Sequence, residues 1–158
     1  MNFIEIERKF LVRNTDFISQ SHKNTQIIQA FLNTDPCRTV RVRLKGEKGY
    51  LTIKGESTNG ISRFEWEKEI SVNDVYTLLP LCEPFSIEKT RYEVLINHSL
   101  YEVDVFHGEN EGLIIAEIEL DNEYQFFEKP SWIGLEVTGD TRYYNSYLSK
   151  NPYKNWKQ

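Results

Sequence analysis

Glu5-Ile6-Glu7-Arg8-Lys9, preceded by Phe3-Ile4 and followed by Phe10-Leu11-Val12, reads as a β-strand with two different faces. Side chains alternate along a strand, so Glu5, Glu7 and Lys9 line one side and Ile4, Ile6 and Phe10 the other, with Arg8 the exception. Two carboxylates at i and i+2 stand roughly 7 Å apart, close enough to repel and to share divalent cations. An edge strand with a solvated charged face shows the same pattern. The rest of the chain has to decide between the two.

Working outward, the pattern recurs with the sign of the charge sorted by strand. Arg38 to Lys45 sets Val40, Val42 and Leu44 against Arg41, Arg43 and Lys45; Gly46 to Gly49 turns the chain, and Tyr50 to Lys54 returns with Lys54 on the polar face. Ser62 to Ile70 groups Glu65, Glu67 and Glu69; Phe85 to Ile96 groups Lys89 and Arg91; Tyr101 to Phe106 groups Glu102 and Asp104; Leu113 to Leu120 carries Glu117 and Glu119. Thr25 to Asn33 and a short strand ending in the Gly134 to Asp140 stretch complete about eight strands. Short helices are expected at Asn14 to His22, Ser71 to Leu79, Asp121 to Glu128 and Thr141 to Ser149, from their capping residues and the prolines that stop two of them. With no repeat, low-complexity segment or linker, residues 1–158 are expected to form one domain.

Like charges at i and i+2 or across a ladder are mildly unfavourable, so solubility alone would mix them. Hairpin-connected strands favour an antiparallel sheet, and eight of them can close into a barrel. Charged faces turned inward would give a lumen with a carboxylate wall and a basic wall, which only a highly charged guest with counterions could satisfy. A polyphosphate with divalent metal ions is such a guest, because Arg and Lys hold phosphoryl oxygens while carboxylates hold Mg²⁺ or Mn²⁺. On pattern alone, an open sheet with solvated charges stays open as the alternative.

Composition narrows the partners. With 158 residues, 27% charged and 39% hydrophobic, the chain has the make-up of a soluble globular protein. A net charge of −5 disfavours general attraction to nucleic acid or anionic lipid. Cys37 and Cys82 form no metal or redox spacing, and reduced thiols are expected. No leader or membrane-spanning run is evident, so a cytoplasmic location is expected, and a homodimer is compatible with the sequence.

The same segments resemble a known family. Glu5-Ile6-Glu7-Arg8-Lys9 is similar to the Glu-x-Glu-x-Lys signature of the CYTH superfamily, the triphosphate tunnel metalloenzymes, and Arg41-Val42-Arg43-Leu44, Leu51-Thr52-Ile53-Lys54-Gly55 and Glu88-Lys89-Thr90-Arg91-Tyr92 resemble its basic strands. Glu102 to Phe106, Ala116 to Leu120 and Glu136 to Tyr143 extend the likeness over nearly the whole chain. The resemblance implies a β-dominated α+β fold, an eight-stranded antiparallel closed tunnel with short flanking helices. It implies Glu5, Glu7, Glu117, Glu119 and Asp104 as ligands of Mg²⁺ or Mn²⁺, with Glu102 assisting, and a less firm role for Glu65 and Glu67. Lys9, Arg41, Arg43, Lys54, Lys89 and Arg91 would bind phosphate, Arg142 would lie at the tunnel end, and Lys9, Glu7 and Arg142 would be catalytic. Small bacterial members often carry Gln-Gly-Tyr-Leu where this chain has Gln29-Ala30-Phe31-Leu32, which removes a phenol. The implied activity is hydrolysis of inorganic triphosphate to pyrophosphate and orthophosphate. Hydrolysis of thiamine or nucleoside triphosphate, adenylate cyclase activity, and a module that binds polyphosphate or nucleotide without turnover are its rivals.

Overall fold

The computed structural model describes residues 2–157. Its strands are β1 (Ile4–Val12), β2 (Lys23–Asn33), β3 (Arg38–Lys45), β4 (Lys48–Gly55), β5 (Ser62–Ile70), β6 (Ile87–Ile96), β7 (Ser99–Phe106), β8 (Ile114–Glu119) and β9 (Ile133–Glu136). The helices are short: α1 (Asp16–Gln20), α2 (Val72–Leu78) and α3 (Asn145–Leu148), with 3-10 turns between elements.

All pairings are antiparallel, and the first eight strands close on themselves. Closure falls on β1. Its C-terminal part pairs with β8 from Glu7↔Glu119 to Leu11↔Ile115, while Ile4, Glu5 and Ile6 pair with β5 on the opposite edge. Further along that second edge, the added strand β9 takes over from β5, with Phe10↔Glu136 and a register shift before Val12↔Ile133. The gap between β5 and β9 is sealed by backbone, where Glu7 N donates to Ile61 O and Val137 N to Lys9 O. Two glycines make the seal close. A Cβ on Gly60 would lie 3.0 Å from the Gly139 Cα, and both residues have φ of +79°, where side chains are strained.

Most of the apolar mass lies outside the barrel wall. Phe10, Val94, Tyr101, Val103, Ala116 and Ile118 form an apolar patch on β1, β6, β7 and β8, covered by Phe17 of α1 and by Phe127, Trp132 and Ile133. Each large side chain buried this way contributes about 1.5–3 kcal/mol. The polar tips are satisfied as well, with Trp132 Nε1 donating to Gln20 Oε1 and Tyr101 OH to the Glu128 carbonyl.

A second cluster fills one end of the barrel. On the inward-facing positions the charges give way to Phe31, Ile87, Phe106 and Ile115, and Val137, Tyr143 and Leu148 pack onto them. The C-terminal segment is therefore an apolar plug, and the lumen above it is a chamber closed at that end.

Three sequence expectations change in detail. The β3–β4 turn is shorter than expected, with Lys45 and Lys48 already paired across a Gly46-Glu47 loop. Gly49 is a strand residue, where a Cβ would come within 2.6 Å of Val75 on α2. The helix expected from Asp121 to Glu128 does not form. Asn122 Oδ1 accepts from Tyr124 N and Gln125 Oε1 from Asp121 N, which diverts backbone donors into turns, and the strap buries Phe127 while leaving its neighbour Phe126 exposed. The helix expected over Thr141 to Ser149 is broken by extended Tyr144 into a turn at Thr141–Tyr143, capped by Asp140, and then α3. No helix among the described residues is long and apolar enough to cross a membrane.

Candidate active site

Strand alternation turns the sorted charges inward onto one cavity of about 220 Å³. Glu5 and Glu7 from β1 and Glu117 and Glu119 from β8 form its acidic side; Arg41, Arg43, Lys54, Lys89 and Arg91 form much of its basic side. Lys9 sits within the acidic side, its Nζ 3.8 Å from Glu7 and 3.5 Å from Glu117. Lys54 Nζ joins Glu5 at 2.9 Å and Glu65 at 3.1 Å. Arg41 and Arg43 share Glu67 at 3.6 and 3.3 Å, and Thr52 Oγ1 donates to the same carboxylate at 2.7 Å.

This arrangement is electrostatically incomplete on both sides. Burial, together with Glu117 and Glu5, pushes the Glu7 carboxyl up to about 8. Burial and the nearby Glu5 and Glu102 also raise Glu119. Glu117 is buried too, but Lys9, Arg91 and Lys89 outweigh that burial and keep it ionised. Opposite, burial and the neighbouring Arg41 and Arg91 pull Arg43 down to about 10. The buried Nε atoms of Arg41 and Arg43 have no protein partner. Crowded carboxylates fit a divalent cation by donor type and by the repulsion it would relieve. Clustered guanidinium and ammonium groups on the cavity wall fit anionic oxygens. Among the described residues, no three His, Cys, Asp or Glu side chains are already drawn together around an ion position. Glu5, Glu7 and Glu117 pair with Lys9 and Lys54 instead.

Two residues implied by the resemblance stand elsewhere. Asp104 is 1% exposed, with Oδ1 2.8 Å from Arg91 Nε, and Oδ2 2.9 Å from Arg91 Nη2 and 2.8 Å from Lys89 Nζ. Its oxygens hold two cations and are not open towards the cavity. Arg142 is on the surface, with its side chain 57% exposed, paired to Asp140 at 2.7 Å and stacked over Tyr143 and Trp156. Phe31 and Glu102 do line the chamber, and Glu102 accepts from Arg91 Nη1 at 3.0 Å.

The structure also adds residues. Arg63 lines the cavity, as do Thr138, Tyr144 and Asn145 from the C-terminal segment, and Lys45 joins Arg41 and Arg43 there as its strand face requires. Asn145 Oδ1 accepts from Gln29 Nε2 at 2.8 Å and Lys89 Nζ at 3.2 Å, which ties the plug to the chamber floor. Arg63 was legible at i−2 from Glu65, on the same strand face. The plug residues leave no periodic signal in the sequence.

A closed antiparallel tunnel with an acidic side, a basic side and a plugged end defines a polyanion-handling chamber. The chain belongs to the CYTH domain family, whose model matches residues 4–149. A relative from Acetivibrio thermocellus, named inorganic triphosphatase, is 52% identical over 155 residues, covering 98% of each chain. One from Nitrosomonas europaea with the same name is 39% identical over 150 residues, covering 92% of this chain and 96% of its own. A solved structure described as that of an inorganic triphosphatase superposes with a TM-score of 0.65 at 35% identity, covering 92% of this chain and 93% of that one.

Proposed function

We propose that this protein hydrolyses inorganic triphosphate to pyrophosphate and orthophosphate in the plugged tunnel, with Mg²⁺ or Mn²⁺ as the metal. The observation that carries this reading is that four crowded carboxylates, Glu5, Glu7, Glu117 and Glu119, face a cluster of guanidinium and ammonium groups across one cavity. The names of the two relatives support the substrate.

Glu5, Glu7, Glu117 and Glu119 would hold the metal, which when bound supplies charge neutralisation and an activated water. Arg41, Arg43, Lys54 and Arg91 grip the phosphoryl oxygens and align the chain for in-line displacement at the terminal phosphorus. Lys9, among the acidic residues, and Lys89, at the floor, offset charge on the oxygen that leaves. Asp104 acts through Lys89 and Arg91, as a positioning residue. Arg142 has no part in this reading, because its guanidinium is committed to Asp140 outside the chamber. A polyanion receptor without turnover would need the basic side alone, so the four carboxylates favour a hydrolase.

The test is phosphate release from inorganic triphosphate, pyrophosphate, ATP and thiamine triphosphate, each with Mg²⁺ and with Mn²⁺. Preference for inorganic triphosphate supports the proposal. Cyclic AMP formed from ATP would replace it with a cyclase.

A further inference from the structure

A second chamber, of about 440 Å³, adjoins the tunnel at the seam between β5 and the Val137–Asp140 segment. The two share Thr39, Ser57, Arg63, Tyr144, Ser146 and the Gly60–Gly139 crossing. Their chemistry differs. The side chamber offers Pro36 and Tyr147 as apolar surfaces, with the hydroxyls of Thr34 and Thr141 and the amide of Asn151 around them. Its charged lining is Lys150, neutralised by Glu83 at 3.3 Å, together with Arg63 and the carboxylate of Glu56. Aromatic, hydroxyl and amide groups, with a carboxylate and few cations beside them, suit a base and sugar, not a further run of phosphates.

Tyr144 stands between the two spaces. Lys9 Nζ lies 5.1 Å from its ring centroid and the Arg63 guanidinium 5.6 Å from it, so the ring is held by cations. Arg63 is itself anchored, Nε to the Gly55 carbonyl at 3.0 Å and Nη2 to Thr39 Oγ1 at 3.4 Å. The Tyr144 carbonyl accepts from Tyr147 N and Leu148 N at 3.0 and 2.9 Å, fixing the backbone that carries the ring.

We propose that Tyr144, supported by Arg63, is a specificity-determining wall that ends the tunnel at the length of a bare triphosphate. It shuts off a side chamber able to take the nucleoside of a nucleoside triphosphate. The proposal rests on the triphosphatase reading above.

The experiment compares wild type with Tyr144→Ala, Tyr144→Phe and Arg63→Ala, measuring kcat/KM for inorganic triphosphate, inorganic tetraphosphate and ATP. Calorimetric binding of triphosphate and ATP to the metal-free proteins is measured alongside. Any loss caused by loosening Lys9 is common to all substrates and cancels in the ATP-to-triphosphate ratio. Tyr144→Ala is expected to raise that ratio at least about tenfold in both turnover and binding, the scale on which pocket shape discriminates. Arg63→Ala raises it by a smaller factor, and Tyr144→Phe, which keeps the ring, holds it within about twofold. An unchanged ratio in both Tyr144→Ala and Arg63→Ala overturns the wall. A gain for tetraphosphate without one for ATP overturns the ligand class. A wild type inert towards triphosphate overturns the underlying reading and the wall with it.

Discussion

Glu7 of β1 stands directly opposite Glu119 of β8 in the antiparallel ladder, two carboxylates facing each other where a sheet normally places unlike or neutral partners. Such a pair costs stability in the metal-free protein and, in the function proposed above, would be relieved by a bound cation. Glu7→Gln should therefore raise the thermal midpoint of the chelator-treated protein by a few degrees and cut turnover at least about a hundredfold. Differential scanning calorimetry in EDTA, paired with phosphate release, checks both. A fall in the midpoint would mean that Glu7 is a structural ion-pair partner of Lys9.

Asp104 holds Lys89 and Arg91 from behind the chamber wall. Removing one member of a fully buried ion-pair network strands the other charges, at a cost of about 3–5 kcal/mol. Asp104→Ala should lower the unfolding free energy of the metal-free protein by that amount in urea titration. A metal ligand would behave differently, leaving metal-free stability nearly unchanged and shifting metal affinity.

Burial pulls Lys89 down to about 8, with Arg91 adding to the effect and Asp104 opposing it. The folded value lies below that of a free lysine, so the charge is present in both folded and unfolded chains below about pH 8, and the folded chain loses it first as pH rises. Triphosphate binding to the metal-free protein should weaken above that pH, by up to about tenfold per unit for one coupled proton. Lys89→Arg should flatten the profile. Calorimetric titration between pH 7 and about 9.5 reads the slope, and an identical slope in both proteins would remove Lys89 from the substrate's contacts.

Arg142 pairs with Asp140 and stacks on Tyr143 and Trp156 at the surface. Arg142→Ala is expected to leave kcat/KM for triphosphate within about twofold of wild type, since exposed pairs contribute little. A loss beyond about tenfold would show that the side chain reaches the substrate after all.

The tunnel was legible because period-two alternation and charge are read in the same register. Arg41 and Arg43, Glu117 and Glu119, and Lys89 and Arg91 each had to share a face once their segments were strands, and closure then brought the faces together. Roles were less legible than faces. Asp104 sits at the same parity as Glu102, yet its oxygens are taken up by Arg91 and Lys89, and only cross-strand register shows that. Arg142 follows a turn, where parity carries no information. The strap from Asp121 to Glu128 had helical caps, but burial of Phe127 and Trp132 against β1 and β7 outweighed local propensity. The plug, with Tyr144 and Asn145 at its tip, falls where a helix was expected, but its break at Tyr144 and its place on the chamber appear only in three dimensions.

The most direct test of the central claim is product stoichiometry from inorganic triphosphate, measured for wild type and Glu7→Ala, with Mg²⁺ or Mn²⁺ and in EDTA. One orthophosphate per pyrophosphate, formed by wild type only when metal is present and abolished in Glu7→Ala, is the predicted result. Tight triphosphate binding with no products under any condition, or equal turnover in EDTA, would contradict the account.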